Sequence, residues 1–300
     1  MAAPLQGITE HVWREAHARV CGGVARYYTP FLRMMHGEIP RREQVDATAA
    51  LSESVACTPQ VIACPPQQAT HIVDWLVAQG HREVDINLGC PFPPVALKKM
   101  GSGMLPYPAL VEQLFTALAG IEGVRYSVKM RLGWDEATQW REVMPLTEIL
   151  QPAHITVHPC TGRGKEADVI NHEQMAAIVA ASPYPIIYNG GINTRDDIAR
   201  IVERYPTLAG VMVGRGLVAR PDLTSDAGTA CYRPFHDQLV EGYRQRYSQG
   251  GEAQILRHLQ DLWAYFLPDA PARLRKAIKK SRTLAQYYDA TTALFTTLEN

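Results

Sequence analysis

Apolar and polar positions alternate along this chain in two periods. Between about residues 58 and 216, short β-rich apolar runs recur at Gln60–Cys64, Glu83–Gly89, Tyr126–Arg131, His154–His158, Pro185–Gly191 and Gly210–Gly216. Between them lie stretches with apolar residues at i, i+3 and i+4, at Ala69–Gln79, Ala109–Ala119, Glu173–Ala181 and Thr194–Tyr205, the signature of amphipathic helices. Thr194, followed by Arg195-Asp196-Asp197, reads as an N-cap with acids in the first turn. Two earlier runs, Ala2–Leu5 and Tyr27–Leu32, read as further strands.

Strands separated by helices imply a parallel sheet with crossover connections. Eight such strands in about 220 residues match a (β/α)8 barrel. The rival, a doubly wound open sheet, favours a GxGxxG turn after its first strand, and Pro4-Leu-Gln-Gly does not supply one. Past Pro221 the pattern turns helical, with breaks near Pro268 and Pro271. The expected organisation is a barrel over residues 1–228 and a small all-helical domain over 229–300.

Composition narrows the class. The 300 residues are 46% hydrophobic and 20% charged, which excludes an intrinsically disordered chain. No apolar run approaches the roughly 18 to 20 residues of a membrane span. The first residues lack the basic and apolar regions of a signal peptide, so a cytoplasmic location is expected. Six cysteines without clustered spacing predict thiols, not a disulfide framework or a metal site. The formal net charge is zero, from 30 Lys+Arg and 30 Asp+Glu, at first sight a weak argument against a nucleic-acid partner. The charge is unevenly placed, however. From Ala230 onward there are 10 Lys+Arg and 7 Asp+Glu, leaving 20 and 23 for the first 229 residues. Six of the ten cations, Arg273, Arg275, Lys276, Lys279, Lys280 and Arg282, fall in one short helical segment. It reads either as a solvated helix face or as a phosphate-contacting patch.

In a barrel the chemistry sits at the C-terminal strand ends. The polar residues there are Gln60, Asn87, Cys90, Lys129, Arg131, His158, Cys160, Asn189-Gly-Gly and Gly214-Arg-Gly. Two Gly-rich loops after the last strands, with Arg215, predict a phosphate site, because glycine lets backbone N–H groups approach an anion. Cys90, in a turn set by Gly89 and Pro91, is a thiol among amide, lysine and histidine groups, able to act as a general acid.

Together these motifs resemble the tRNA-dihydrouridine synthases over nearly the whole chain. The resemblance is carried by Ala3-Pro-Leu-Gln-Gly-Ile-Thr, Asn87-Leu-Gly-Cys-Pro, Val128-Lys-Met-Arg-Leu-Gly-Trp, Ile155-Thr-Val-His, Asn189-Gly-Gly-Ile and Val213-Gly-Arg-Gly. Gly133-Trp134 and the helical tail are similar to the bacterial branch acting on uridine 16. The resemblance implies an FMN-bearing barrel, a helical tRNA-binding domain, NADPH as electron donor, no metal and a monomer. It places Pro4, Leu5 and Gln6 along the flavin, and Gln60 and Lys129 at its ring and polar edge. It places His158, Asn189, Gly190, Gly191, Gly214 and Arg215 around the phosphate. Asn87 and Arg131 fall to the substrate, Cys90 to protonation of uracil C5 as hydride reaches C6, and the six tail cations to the RNA. Two departures stand out. Gly101-Ser-Gly-Met-Leu replaces the family's Gly-Ala-Cys-Leu, and His158-Pro-Cys replaces its His-Gly-Arg. The second removes a cation from the loop after the sixth strand, to be replaced by Arg163 or Lys165 or matched by different substrate contacts, and leaves Cys160 as an expected second thiol in the pocket. The remaining alternatives are an FMN reductase of a small enone or pyrimidine, and a non-catalytic RNA-binding relative.

Overall fold

The computed structural model describes residues 1–49, 55–164 and 169–299. Eight short strands run in chain order: β1 Arg26–Tyr28, β2 Ala56–Thr58, β3 Gln60–Val61, β4 Glu83–Leu88, β5 Arg125–Gly133, β6 Ile155–Thr161, β7 Ile186–Asn189 and β8 Gly210–Met212. All pairings are parallel, β1 with β2, and β3 through β8 in sequence order. Among the described residues the strands therefore make sheets of two and six, not an unbroken ring of eight.

Prolines explain most of the difference from the expected strands. Pro59 alone separates β2 from β3 and has no N–H for a ladder, although its carbonyl still accepts from Asp85 N at 2.9 Å. Pro30 likewise splits the expected Tyr27–Leu32 strand into β1 and a single bridge, in which Leu32 N donates to Gln60 O at 2.7 Å and Ile62 N to Leu32 O at 3.0 Å. The expected Ala2–Leu5 strand stops before Pro4. Ala2 N donates to Arg26 O (2.9 Å), Ala3 N to Val213 O (2.8 Å) and Val213 N to Met1 O (2.9 Å). Residues 1–3 thus touch both β1 and the segment after β8.

The four expected helices form at Pro66–Ala78, Pro108–Ala119, His172–Ala181 and Arg195–Arg204. The first two begin on proline, whose fixed φ suits the first helical position. Thr194 caps the last in a capping box: its hydroxyl accepts from Asp197 N at 3.1 Å, while the Asp197 carboxylate accepts from Thr194 N at 2.8 Å. The apolar runs are buried from both sides, with Val84, Val128, Ile155 and Val157 fully inaccessible, as parallel strands flanked by helices require.

Among the described residues after Gly228 come a short 3-10 turn, Thr229–Cys231, and four α-helices, Tyr232–Arg246, Glu252–Leu262, Ala272–Lys280 and Leu284–Glu299. The expected breaks at Pro268 and Pro271 fall between the second and third. Their shared core is aromatic: Trp263 Nε1 donates to Tyr287 Oη at 2.9 Å, and His236 Nε2 lies 2.8 Å from the same hydroxyl. Phe235 meets Trp13 of helix His11–Val20 edge to face, centroids 6.1 Å apart. Gly242 brings the chain so near that a Cβ there would lie 2.7 Å from Val12 Cγ1. Among the described residues no helix is long and apolar enough to cross a membrane.

Candidate active site at the strand ends

The C-terminal strand ends surround a cavity of about 290 Å3. Pro4, Leu5, Gln6, Gln60, Asn87, Cys90, Lys129, Arg131, His158, Asn189, Gly190, Gly191, Gly214 and Arg215 all line it. Parallel strands bring these residues together from across the chain because each β-run ends at the same edge, where its last polar side chain clears the apolar interior. Arg273, Arg275, Lys276, Lys279, Lys280 and Arg282 do not line it.

A chain of hydrogen bonds fixes one wall. Asp85, fully buried in β4, accepts from Ser127 Oγ (2.5 Å) and from Gln60 Nε2 (2.7 Å). Gln60 Oε1 accepts from Asn87 Nδ2 at 2.6 Å. Asn87 Oδ1 in turn accepts from Gly89 N (2.9 Å) and Cys90 N (2.8 Å), shaping the turn that carries the thiol. Arg131 braces that turn from β5, donating to Gly89 O (3.0 Å) and Thr161 O (2.7 Å). Ser102 braces it from the other side, its N and Oγ donating to Cys90 O at 3.1 and 2.9 Å. The departure at Gly101 belongs to this support: with φ +59, a Cβ there would lie 2.7 Å from Cys90 O.

Burial governs the site's protonation. It pushes the Cys90 thiol above its usual range, more than the Phe92 backbone and the nearby Lys129, Arg131 and Arg33 charges pull it down, so Cys90 holds its proton at neutral pH. Burial, with Arg131 adding repulsion, lowers Lys129 to about 8 despite Asp85 and Cys90. Burial, then Arg131, Lys129 and Arg215, keeps His158 neutral, far below its ordinary value.

The far wall is glycine-rich. Gly190 (φ +131) lies against the His158 ring, where a Cβ would come within 2.6 Å of Cδ2, and Gly191 also has a positive φ of +63. Asn189 Nδ2 donates to Met212 O at 2.7 Å, tying the two Gly loops together. Arg215 opens the turn of helix Arg215–Ala219 beside them.

Three expectations change. Cys160 is buried and does not line the cavity; its Sγ lies 3.9 Å from Val169 O. Arg163 is exposed and outside the lining, and Lys165 lies outside the described residues. Arg275 is spent on backbone, donating to Trp263 O (3.0 Å) and Pro268 O (3.1 Å), while the other five tail cations are exposed.

The sequence pattern does not single out Phe31, Asp85, Asn193 or Tyr265, of which Phe31, Asn193 and Tyr265 line the cavity. A carboxylate inside the apolar run Val84-Asp85-Ile86 is a readable signal, since such a group stays only where hydrogen bonds hold it. Asn193 follows the Gly-Gly-Ile motif directly. Tyr265 has no local signal.

Fold and site define an α/β enzyme with an anion-suited glycine wall facing a protonated thiol. The sequence matches the family described as dihydrouridine synthase over residues 1–298, and the chain belongs to that family, oxidoreductases of tRNA processing. It is 26% identical over 224 residues to tRNA-dihydrouridine synthase B of Vibrio cholerae serotype O1, covering 74% of this chain and 68% of the relative. To tRNA-dihydrouridine synthase B of Serratia marcescens it is 29% identical over 234 residues, covering 74% and 66%. To the probable tRNA-dihydrouridine synthase 1 of Synechocystis sp. it is 27% identical over 275 residues, covering 88% and 72%.

Proposed function

We propose that this chain reduces the C5=C6 bond of one tRNA uridine, with Cys90 as the acid that protonates C5. The observation that carries the reading is the cavity in which the Cys90 thiol, the polar side chains of Asn87 and Arg131, and a glycine-rich wall converge. The residues fit FMN. At Gly214 a Cβ would enter the space beside Ala3 and Leu5, 3.4 and 3.8 Å away, a cradle open to a phosphate that Arg215 would balance. Asn189, Gly190, Gly191 and His158 would complete the phosphate wall, Pro4, Leu5 and Gln6 would flank the ring, and Gln60 and Lys129 would meet its polar edge. Bound there, FMN would supply the hydride for uracil C6, with NADPH as the electron donor.

The chain's own groups do the rest. Asn87 and Arg131 hold the uracil and the turn, so that the Cys90 proton is delivered to C5 and not to water. A duplex base cannot reach such a depth, so the uridine is extruded first. In this reading residues 1–3 and the Leu32 bridge complete a closed eight-stranded barrel over residues 1–228. The helical unit 229–300 contacts tRNA through Arg273, Lys276, Lys279, Lys280 and Arg282, and the protein works as a cytoplasmic monomer without metal.

The site of action is uridine 16, a reading supported by Gly133-Trp134 and the helical tail. Recombinant protein incubated with FMN, NADPH and unmodified tRNA transcripts tests this directly. Dihydrouridine mapped to position 16 is the expected product. Dihydrouridine at another position overturns the choice of uridine, and none at all overturns the activity.

A further inference from the structure

Tyr265 sits between helices Glu252–Leu262 and Ala272–Lys280. Among the described residues it is the one side chain beyond residue 228 that lines the strand-end cavity. Its neighbours Trp263 and Phe266 are fully buried, so of this aromatic run Tyr265 alone is left facing the cavity. The turn that carries it is held at three points. Leu267 N donates to Ala219 O at 3.1 Å, joining the turn to the short helix that begins with the cavity residue Arg215. Arg220 pairs with Asp269. Arg275 spans the turn from the far side through the Trp263 and Pro268 carbonyls. Within this frame Tyr265 packs partly against the core, yet among the described residues its hydroxyl has no hydrogen-bond partner and its ring no aromatic stacking partner.

Elsewhere in the cavity wall Gln60, Asn87 and Arg131 are spent on protein partners, whereas here an aromatic ring lines the cavity. An aromatic face offered to an unpaired base is the usual way proteins hold single-stranded nucleotides, because every base has a π-face. We propose that Tyr265 contacts substrate by stacking on the nucleotide extruded toward Cys90, and that Arg275 is a positioning residue for the turn that presents it. This rests on the tRNA-uridine reading above. It assigns the helical unit a direct part in the reaction cavity, and separates Arg275 from the cations that face phosphate.

The test is equilibrium binding of labelled, unmodified tRNA to FMN-loaded enzyme across a salt series, with FMN affinity measured in parallel. Y265A is expected to weaken tRNA binding about 5- to 150-fold, the range for one base–aromatic stack, with Y265W and Y265F within about threefold of wild type. FMN affinity and the slope of affinity against salt should stay unchanged, since every cation that meets phosphate remains in place. R275M should weaken tRNA binding without changing the slope, and the Y265A/R275M double variant should be no weaker than Y265A. An abasic site at the mapped uridine should abolish the difference between wild type and Y265A. Weakened FMN affinity in Y265A, a Y265W variant as weak as Y265A, a reduced salt slope, or an undiminished Y265A effect on the abasic RNA each overturn the proposal. Failure of the wild-type holoenzyme to reduce any tRNA uridine would instead overturn the activity reading, a result that the binding series does not produce.

Discussion

Burial acts on Cys90 and Lys129 in chemically opposite ways, although in both it favours the neutral form. For the thiol that means a retained proton, the form a general acid needs. Replacing Cys90 with Ala should slow single-turnover oxidation of the reduced enzyme by tRNA about 10²- to 10⁴-fold, the usual worth of a positioned acid, with flavin content retained. Cys160→Ala, altering a side chain outside the cavity, should react at the wild-type rate; a slow Cys160 variant beside a fast Cys90 variant would reverse the assignment. For Lys129 burial threatens the charge. Lowered from 10.5 to about 8, its ammonium is lost as pH rises through about 8, and any step relying on that charge should weaken across the same interval. Lys129→Met should remove this inflection. The stability sign is opposite. Between about pH 8 and 10.5 the unfolded chain binds more protons at this position, so stability gains with rising pH. Thermal denaturation of the apoprotein should show that gain in wild type and lose it in Lys129→Met.

At the scale of elements, the supports of the Cys90 turn are distinguishable from the scaffold. Gly101→Ala forces a side chain at φ +59 into the Cys90 carbonyl. It should cost about 1–3 kcal/mol and slow turnover together, read by denaturant unfolding and by the tRNA assay. Thr194→Ala removes one helix cap. It should cost about 1 kcal/mol and leave turnover intact. The strands and crossover helices were legible because burial on both faces writes itself as apolar runs, and because Thr194-x-x-Asp197 is a local signal. The strand-end residues followed, since one topological rule collects them. Prolines at 4, 30 and 59 shortened the strands in ways that apolar patterning does not register. Tyr265 was illegible for a different reason: its place is set by packing between helices and Ala219, to which no periodicity points. Charge counting likewise grouped Arg275 with five exposed cations, because it cannot see the carbonyls at Trp263 and Pro268.

Across the whole molecule, the helical unit is welded to the rest. Phe235 and Gly242 close directly onto Trp13 and Val12, so cutting the chain after residue 228 would bare an aromatic surface. The truncated protein should bind a hydrophobic dye or aggregate, whereas the full chain should not; dye fluorescence and light scattering of both would decide it. Charge is divided across the same junction. Reversing Lys276, Lys279 and Lys280 to Glu should weaken tRNA binding and flatten its salt dependence by about 0.7–0.9 for each phosphate no longer neutralised, with FMN affinity unaffected. A zero net charge therefore conceals a net acidity in the first 229 residues and a basic tail, and salt titration is the measurement that separates them.

The run from Asp85 to Cys90 also has a polarity. Backbone N–H groups of Gly89 and Cys90 can only donate, so Asn87 must present its oxygen to them and its nitrogen to Gln60. Gln60 must then turn its own nitrogen to Asp85. Every amide in the wall is thereby forbidden to flip, and what Asn87 has left for the cavity is an N–H, never a lone pair. A base that shows a carbonyl at that point is matched, whereas one that shows an amino group meets donor with donor. Discrimination between uracil and cytosine would thus be decided by two backbone N–H groups of the Cys90 turn, which oblige a row of amides to face one way, back to a buried aspartate on the same strand.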